Sequence, residues 1–298
     1  MSKLVRLIPS LPTSVVAALF AYVLHFRLPA HRRLSTLWSL FWAVIVLNWR
    51  SLPFWWHVQI FRQIPSIHAR LRLQGERKVF AIAKEPFDIS TKRTYRATFD
   101  LCDWNGHLSN SSYAKILDRA RFDFILHTVG KSMASGPAKL YGALAGSHFL
   151  FLKEIPILDY FEVESKFASW DDKWVYVIST FTTAGKGGAR IVNTIAVQKL
   201  CMKLVTRLTV KPASVFLICG IGSGEDNWNA GEKLRKEGKD RAYLEWTGKE
   251  AARLRSGSME ETAGKEEGWD IDPLAKYEEQ RVERLGYIHD TNDWSKLQ

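Results

Sequence analysis

Between residues 92 and 203 the spacing of apolar positions changes twice, from a period of two to a helical period and back. Residues 92–101 alternate, with Tyr95, Ala97 and Phe99 on one side, and predict a strand. In residues 111–129, Tyr113, Ile116, Leu117, Ala120, Phe124 and His127 recur on one helical face. Lys115, Asp118, Arg119 and Asp123 occupy the others, so an amphipathic helix is expected, with Arg119 and Asp123 four apart and Gly130 as its stop. The period of two then returns in residues 148–155, 161–169, 174–183 and 190–203. Trp170-Asp171-Asp172-Lys173 and Gly185-Lys186-Gly187-Gly188 supply the turns between the last three strands. A strand, one long helix and an antiparallel meander predict an α+β domain of about 130 residues, the helix covering one face of the sheet.

The flanks read differently. Residues 7–26 and 34–49 contain no Asp, Glu, Lys or Arg. Pro9 and Pro12 delay the first helix to about Thr13. The second run reaches only about 24 Å, short of a roughly 30 Å hydrocarbon core, so each alone is a marginal span. Trp38, Trp42, Trp49, Trp55 and Trp56 crowd the region, as interfacial anchors do. Residues 1–62 are therefore expected to anchor the chain to a membrane, the alternative being two buried helices of a soluble protein. Arg50, Arg62, Arg70, Arg72, Arg77 and Lys78 follow and favour a cytosolic downstream domain, whereas Arg27, Arg32 and Arg33 between the runs contradict a simple lumenal hairpin and leave the topology open. An endomembrane location, the endoplasmic reticulum, is the expected setting. Residues 63–91 read as a linker and entry segment, 92–219 as the folded domain, and 220–298 as a charged tail, partly helical or disordered, with few aliphatic clusters.

The net charge of +11 is uneven: residues 1–221 hold 29 basic and 13 acidic side chains, residues 222–298 hold 13 and 18. A basic body attracts nucleic acid, anionic lipid or a phosphorylated ligand. Zinc-finger spacing, RNP-like aromatics and a basic zipper are missing from the sequence, so no nucleic-acid partner is expected. Cys102, Cys201 and Cys219 form neither a CxxC pair nor a metal-ligand spacing, and neither metal nor cofactor is expected. Cys-Gly-Ile-Gly-Ser-Gly-Glu, residues 219–225, has Glu225 where a dinucleotide fingerprint needs its third glycine, and no GxSxG elbow occurs.

Chemistry concentrates in Asp103-Trp-Asn-Gly-His-Leu-Ser-Asn-Ser-Ser-Tyr113, between the first strand and the helix. The first N–H groups of a helix lack intrahelical acceptors and carry the positive end of its dipole. Ser109 or Asn110 is placed to cap it. Gly106 permits a sharp bend or the close approach of a ligand. Asp103 then presents a carboxylate beside amides able to hold an oxyanion, a minimal acyl-transfer site. Other readings compete: Asp103 as an Asx-turn residue, Cys102 as a nucleophile or a small strand residue, His107 as packing beneath the loop, Tyr113 and Phe124 as core or as lining of an acyl groove. Arg190 and Lys186 are either contacts for a coenzyme A phosphate or a solvated strand end.

Asp103-x-x-Gly106-His107-x-x-Asn110-x-x-Tyr113, followed by Asp118-x-x-Arg121, resembles the signature of hotdog-fold thioesterases of the hydroxybenzoyl-CoA thioesterase type. The chain as a whole resembles thioesterase-like proteins of animals and fungi with an N-terminal membrane segment, and the hotdog similarity covers about residues 92–216. The resemblance implies a hotdog fold, an antiparallel sheet wrapped around one central helix, and a homodimer with sites at the subunit interface. It implies that Asp103 is the catalytic nucleophile or general base and that the Asn110 backbone N–H is the oxyanion donor. Gly106, His107 and Tyr113 are the expected substrate contacts, and Asp118 with Arg121 a structural pair, Asp118 standing where many relatives have Glu. The expected activity is hydrolysis of acyl-CoA or acyl-carrier-protein thioesters, in lipid or polyketide metabolism. A non-catalytic acyl-binding or scaffold protein on the same fold is the alternative, and hydratase chemistry a weaker one.

Overall fold

The computed structural model describes residues 30–48, 52–134, 140–258, 260, 262–266, 269 and 272–298. Its centre is one antiparallel sheet. The strands are β1 (Ser90–Arg96), β2 (Tyr141–Phe151), β3 (Tyr160–Trp170), β4 (Val175–Ala184), β5 (Arg190–Lys203) and the short β6 (Thr209–Val210). They lie in the order β1-β3-β4-β5-β2, with β6 beside the end of β5. Among the described residues, α1 (Ala30–Leu47), α2 (Trp55–Phe61), α3 (Gln63–Gln74) and the single turn α4 (Glu76–Val79) precede β1. α5 (Asn110–Thr128) is the long helix, and α6 (Gly130–Ala134) follows it.

The sheet curves around α5, the hotdog arrangement, because the two present matching apolar stripes. Tyr113, Ile116, Leu117, Ala120 and Phe124 of the helix are buried together with Phe161, Val163 and Phe167 of β3, Phe181 of β4 and Ala196 of β5. These strand residues alternate with residues of the opposite face, as the pleat requires. Phe124 meets Phe167 edge-on at 4.8 Å. The Asp171 carboxylate accepts the N–H groups of Lys173 and Trp174, both at 2.7 Å, and so closes the β3–β4 turn.

Several expectations need correction. β1 stops at Arg96, opposite Tyr160, rather than running to Leu101. Residues Phe99–Leu101 instead form a 3-10 turn, closed by the Leu101 N–H on the Thr98 carbonyl at 2.9 Å. β2 starts seven residues before His148; Gly142 and Gly146 hide its alternation, and a bulge interrupts it between Leu144 and Gly146. Gly130 is not a left-handed helix stop. It lets Phe80 approach, since a Cβ there would lie 3.0 Å from the Phe80 ring. The 63–91 segment is not a linker: α3 and α4 carry it, and Val79, Phe80 and Ala81 are fully buried.

The charged C-terminal part is folded as well. Beyond α7 (Pro212–Cys219), which ends the expected domain, it comprises α8 (Glu225–Lys236), α9 (Asp240–Ser256) and α10 (Glu278–Ile288). Its buried apolar residues are isolated aromatics and leucines set among charges, so no aliphatic cluster marks them in the sequence. Tyr243, Leu244, Trp246, Trp269, Leu274 and Tyr277 complete the core beyond the Val129 end of α5. Trp294 and Leu297 cover Ala168, Tyr176, Ile178, Ile195 and Val197 on the outer face of the sheet. The sheet is therefore covered on both faces, not by α5 alone.

Of the expected anchor, residues 7–26 lie outside the described residues. The second run is α1, which exposes Trp38, Phe41, Trp42, Val44 and Val46. No helix among the described residues is long and apolar enough to cross a membrane.

Candidate active site

The loop from Asp103 to Ser109 is built by short-range bonds. The Asp103 N–H reaches the His107 carbonyl at 2.9 Å, and the Gly106 N–H returns to the Asp103 carbonyl at 3.2 Å. Gly106 sits at φ +80°, in the left-handed region, with open space where a Cβ would be. Its glycine is thus required by the turn rather than by a neighbour. A second layer clamps the loop to residues 155–157: Leu108 N–H to the Ile155 carbonyl at 2.8 Å, and Ile157 N–H to the Gly106 carbonyl at 2.8 Å.

This scaffold aims three ionisable groups at one place. Oδ1 of Asp103 accepts the Asn105 N–H at 2.9 Å, an Asx turn. Oδ2 lies 3.2 Å from Nδ1 of His107. Nε2 of His107 lies 3.5 Å from Oε1 of Glu154. Asp103 is part-exposed, so each oxygen keeps lone pairs for a further partner. The turn and the chemical reading of Asp103 are therefore compatible: the turn fixes one oxygen and leaves the carboxylate presented.

Ser109 occupies the cap position of α5 with extended backbone, but its side chain caps nothing and pairs instead with the Ser111 hydroxyl at 3.0 Å. The Ser112 N–H is held by the Ser109 carbonyl at 2.8 Å. Asn110 is the first helical residue, and its N–H has no acceptor within the helix. A nineteen-residue helix adds its dipole there. The carboxylate of Asp103 and the N–H of Asn110 thus stand at the two ends of one short, hydrogen-bonded loop.

Tyr113 is buried, 2 % exposed, with its ring 5.1 Å from Phe151 and 5.0 Å from Phe181. Arg121 pairs with Asp118 one turn before it and donates to Oε1 of Gln198 at 2.8 Å. Gln198 continues to Ser179 and Ser165, so the pair ties α5 to three strands. Asp123 takes two hydrogen bonds from Arg93 of β1, and Arg119 lies over the Tyr95 ring. Burial, helped by the charges of Asp103 and Asp100, pushes the Cys102 thiol up to about 11. It is a thiol at neutral pH, which disfavours its use as a nucleophile. Arg190, at the exposed start of β5, pairs with Glu164 at 3.0 Å and Glu162 at 3.5 Å.

Glu154 is the residue that sequence reasoning missed. It follows β2 in sequence with nothing to single it out. Asn193, fully buried on β5, places it: its carbonyl accepts the N–H groups of Leu152 and Lys153, and its Nδ2 donates to the Glu154 carbonyl at 3.0 Å. A lone buried asparagine in an apolar strand was the available signal.

Residues 97–217 match the thioesterase-like superfamily. The "Probable thioesterase atnL" of Emericella nidulans is 32% identical over 208 residues, 58% of this chain and 66% of that protein, a little under two thirds of its length. The "Probable thioesterase YBR096W" of Saccharomyces cerevisiae is 28% identical over 61% of this chain and 79% of its own. "Protein THEM6" of Drosophila melanogaster is 29% identical over 51% and 73%. Among solved structures, 4-hydroxybenzoyl CoA thioesterase from Pseudomonas sp. strain CBS-3 aligns at 15% identity over 43% of this chain and 96% of its own, with a TM-score of 0.36. Residues 97–217 of this chain, which hold α5 and strands β2 to β6 of the hotdog arrangement, are thus similar to the thioesterase-like superfamily.

Proposed function

We propose that the protein hydrolyses acyl thioesters, of coenzyme A or of an acyl-carrier protein, at a membrane surface. The observation that carries this reading is the Asp103 carboxylate, held by its own loop in the segment that leads into the uncapped start of α5. In the reaction Asp103 either attacks the thioester carbonyl carbon, expelling the thiolate and leaving a mixed anhydride for water to cleave, or takes a proton from the attacking water. Both routes consume one water and release a carboxylic acid and a thiol. The Asn110 N–H and the dipole of α5 would hold the oxyanion.

The names of the relatives in Emericella nidulans and Saccharomyces cerevisiae support the same activity. A homodimer is part of the proposal. β2 is an edge strand of eleven residues, and Tyr141, Leu144 and Phe151 are exposed along it, a surface suited to pairing with a second copy. Such pairing would bring the partner's residues toward the Phe151 end of β2, next to the site. The exposed aromatics of α1 support an association with a membrane, and an endoplasmic reticulum location with the domain on the cytosolic side remains part of the reading.

The test is thiol release from a panel of acyl-CoAs by the full chain in mild detergent, beside Asp103→Asn. Turnover that disappears in a folded variant establishes the activity. Undiminished turnover in Asp103→Asn removes Asp103 from the chemistry. Acyl binding without hydrolysis over CoA and carrier-protein thioesters favours the non-catalytic reading, in which the bonds from Asp103 to Asn105 and His107 serve only the loop.

A further inference from the structure

A groove of about 720 Å³ lies far along α5 from Asp103, walled by α3, β1 and the second half of α5. Its lining is basic. Arg62, Arg70, Lys92, Arg93 and Arg119 face it, against the single carboxylate of Asp123. Asp123 is already held by Arg93 through two hydrogen bonds, and Lys92 leans toward Glu164 at 3.6 Å. Arg62 and Arg70 form no ion pair among the described residues. Guanidinium groups gathered on one concave wall repel each other, and an anion between them relieves that repulsion.

One neutral group points the same way. The Tyr95 hydroxyl is buried in the lining and has no hydrogen-bond partner among the described residues. Burial pushes the Tyr95 phenol up to about 12, so it stays a proton donor at neutral pH. A desolvated donor in the same groove as the guanidiniums of Arg62 and Arg70 is half of a phosphate site.

The setting narrows the ligand. Arg62 directly follows α2, which exposes Trp56, Val58 and Phe61, and Phe54 just before it is 75% exposed. Apolar side chains within a turn of a guanidinium match a segment lying in a bilayer interface, with the apolar groups at the acyl boundary and the cations at headgroup level. We propose that this groove holds the phosphate of an anionic glycerophospholipid headgroup, docking the domain on an acidic leaflet. The proposal rests on the membrane-surface reading above, and its test separates the two.

The full chain is floated with vesicles of phosphatidylcholine alone and of phosphatidylcholine mixed with phosphatidic acid. The expected result is binding to both, with the acidic vesicles preferred at least about ten-fold, since each cation near an acidic surface contributes several-fold. Arg62→Gln with Arg70→Gln should remove that preference and keep neutral binding and thioester turnover. Tyr95→Phe should reduce the preference in part. Lys236→Gln with Lys249→Gln, which removes the same charge from α8 and α9, should keep it. Binding to neither vesicle sinks the membrane reading and this proposal with it. Equal binding to both vesicles, or a preference that survives in the arginine variant or falls equally in the lysine variant, overturns the groove assignment alone. So does displacement from acidic vesicles by inorganic phosphate or coenzyme A at concentrations that match the lipid, since the groove would then be a general anion or carrier site.

Discussion

Nδ1 of His107 stands 3.2 Å from Oδ2 of Asp103, four residues earlier and across a left-handed turn at Gly106. The imidazole therefore touches the carboxylate oxygen that the Asx turn leaves over, and steadies it without replacing it. This separates two expected phenotypes. Asp103→Asn keeps the Asn105 N–H bond but loses the charge, and kcat should fall by about 10²-fold or more. His107→Gln keeps a donor near Oδ2 and loses the ring, and a fall of about ten-fold in kcat with KM little changed is expected. Steady-state kinetics on one acyl-CoA checks both. Equal losses in the two variants would make His107 a chemical partner instead of a positioning residue.

Gly106 is where the loop depends on backbone freedom. At φ +80° an L side chain is strained although nothing within 4 Å would obstruct it. Gly106→Ala should cost about 1–2 kcal/mol, concentrated in the loop. Turnover should fall more than global stability suggests, because Asp103 and the start of α5 shift together. Comparing thermal unfolding with kcat for Gly106→Ala decides this; a loss of stability with unchanged kcat would show that the loop recovers its geometry.

How much of this was legible beforehand depends on the kind of signal. The helix face from Tyr113 to Phe124 and the strands from Phe161 onward follow from periodicity, and the structure agrees within a residue or two at most boundaries. Asp103, Gly106, His107 and Asn110 stand out because a loop that only changed direction does not need a carboxylate, a glycine, an imidazole and small polar residues together. What failed had weak local patterns. Trp269, Tyr277 and Trp294 are isolated aromatics in charged sequence: the first two are buried in the core beyond the Val129 end of α5, and Trp294 is buried because the sheet offers a second face to cover. Glu154 could not be placed at all, since Asn193 reaches it from a strand 39 residues away.

That second face yields its own prediction. Trp294 is 3% exposed and packs on the outer sheet residues, with its Nε1 donating to the Ile288 carbonyl at 3.2 Å. Trp294→Ala should destabilise the domain by about 3–5 kcal/mol, the range for large aromatic truncations in a core. Denaturant unfolding measures it. A change under about 1 kcal/mol, typical of surface sites, would mean that the C-terminal segment is not a structural cover.

Cys102 provides a negative control for the chemistry. With its thiol pushed to about 11 by burial and by Asp103 and Asp100, it carries almost no thiolate at pH 7. Cys102→Ala should leave turnover within about two-fold, and thiol-alkylating reagents should react slowly at this position. Loss of activity in a folded Cys102→Ala protein would reopen the cysteine route.

Acid stability follows from Glu164, on the outer face of β3. Burial pushes its carboxyl up, but the hydrogen bond from Arg190 and the charges of Lys166 and Lys92 outweigh burial and hold it below the usual carboxylate range. The folded state thus binds this proton more weakly than the unfolded chain, whose glutamates titrate near about 4.3. A depressed folded pKa contributes stability that is fully present above the unfolded pKa and is lost as pH falls through the folded one. Wild-type protein should therefore be more stable than Glu164→Gln at pH 7. The gap should narrow as pH drops from about 4.3 downward, where protonation brings the carboxyl to the neutral state that the amide mimics. Arg190→Gln should show the same narrowing, because it removes the main partner. Denaturant unfolding at a series of pH values checks this, and a gap that stayed constant into the acid range would show that Glu164 contributes through packing and not through its charge.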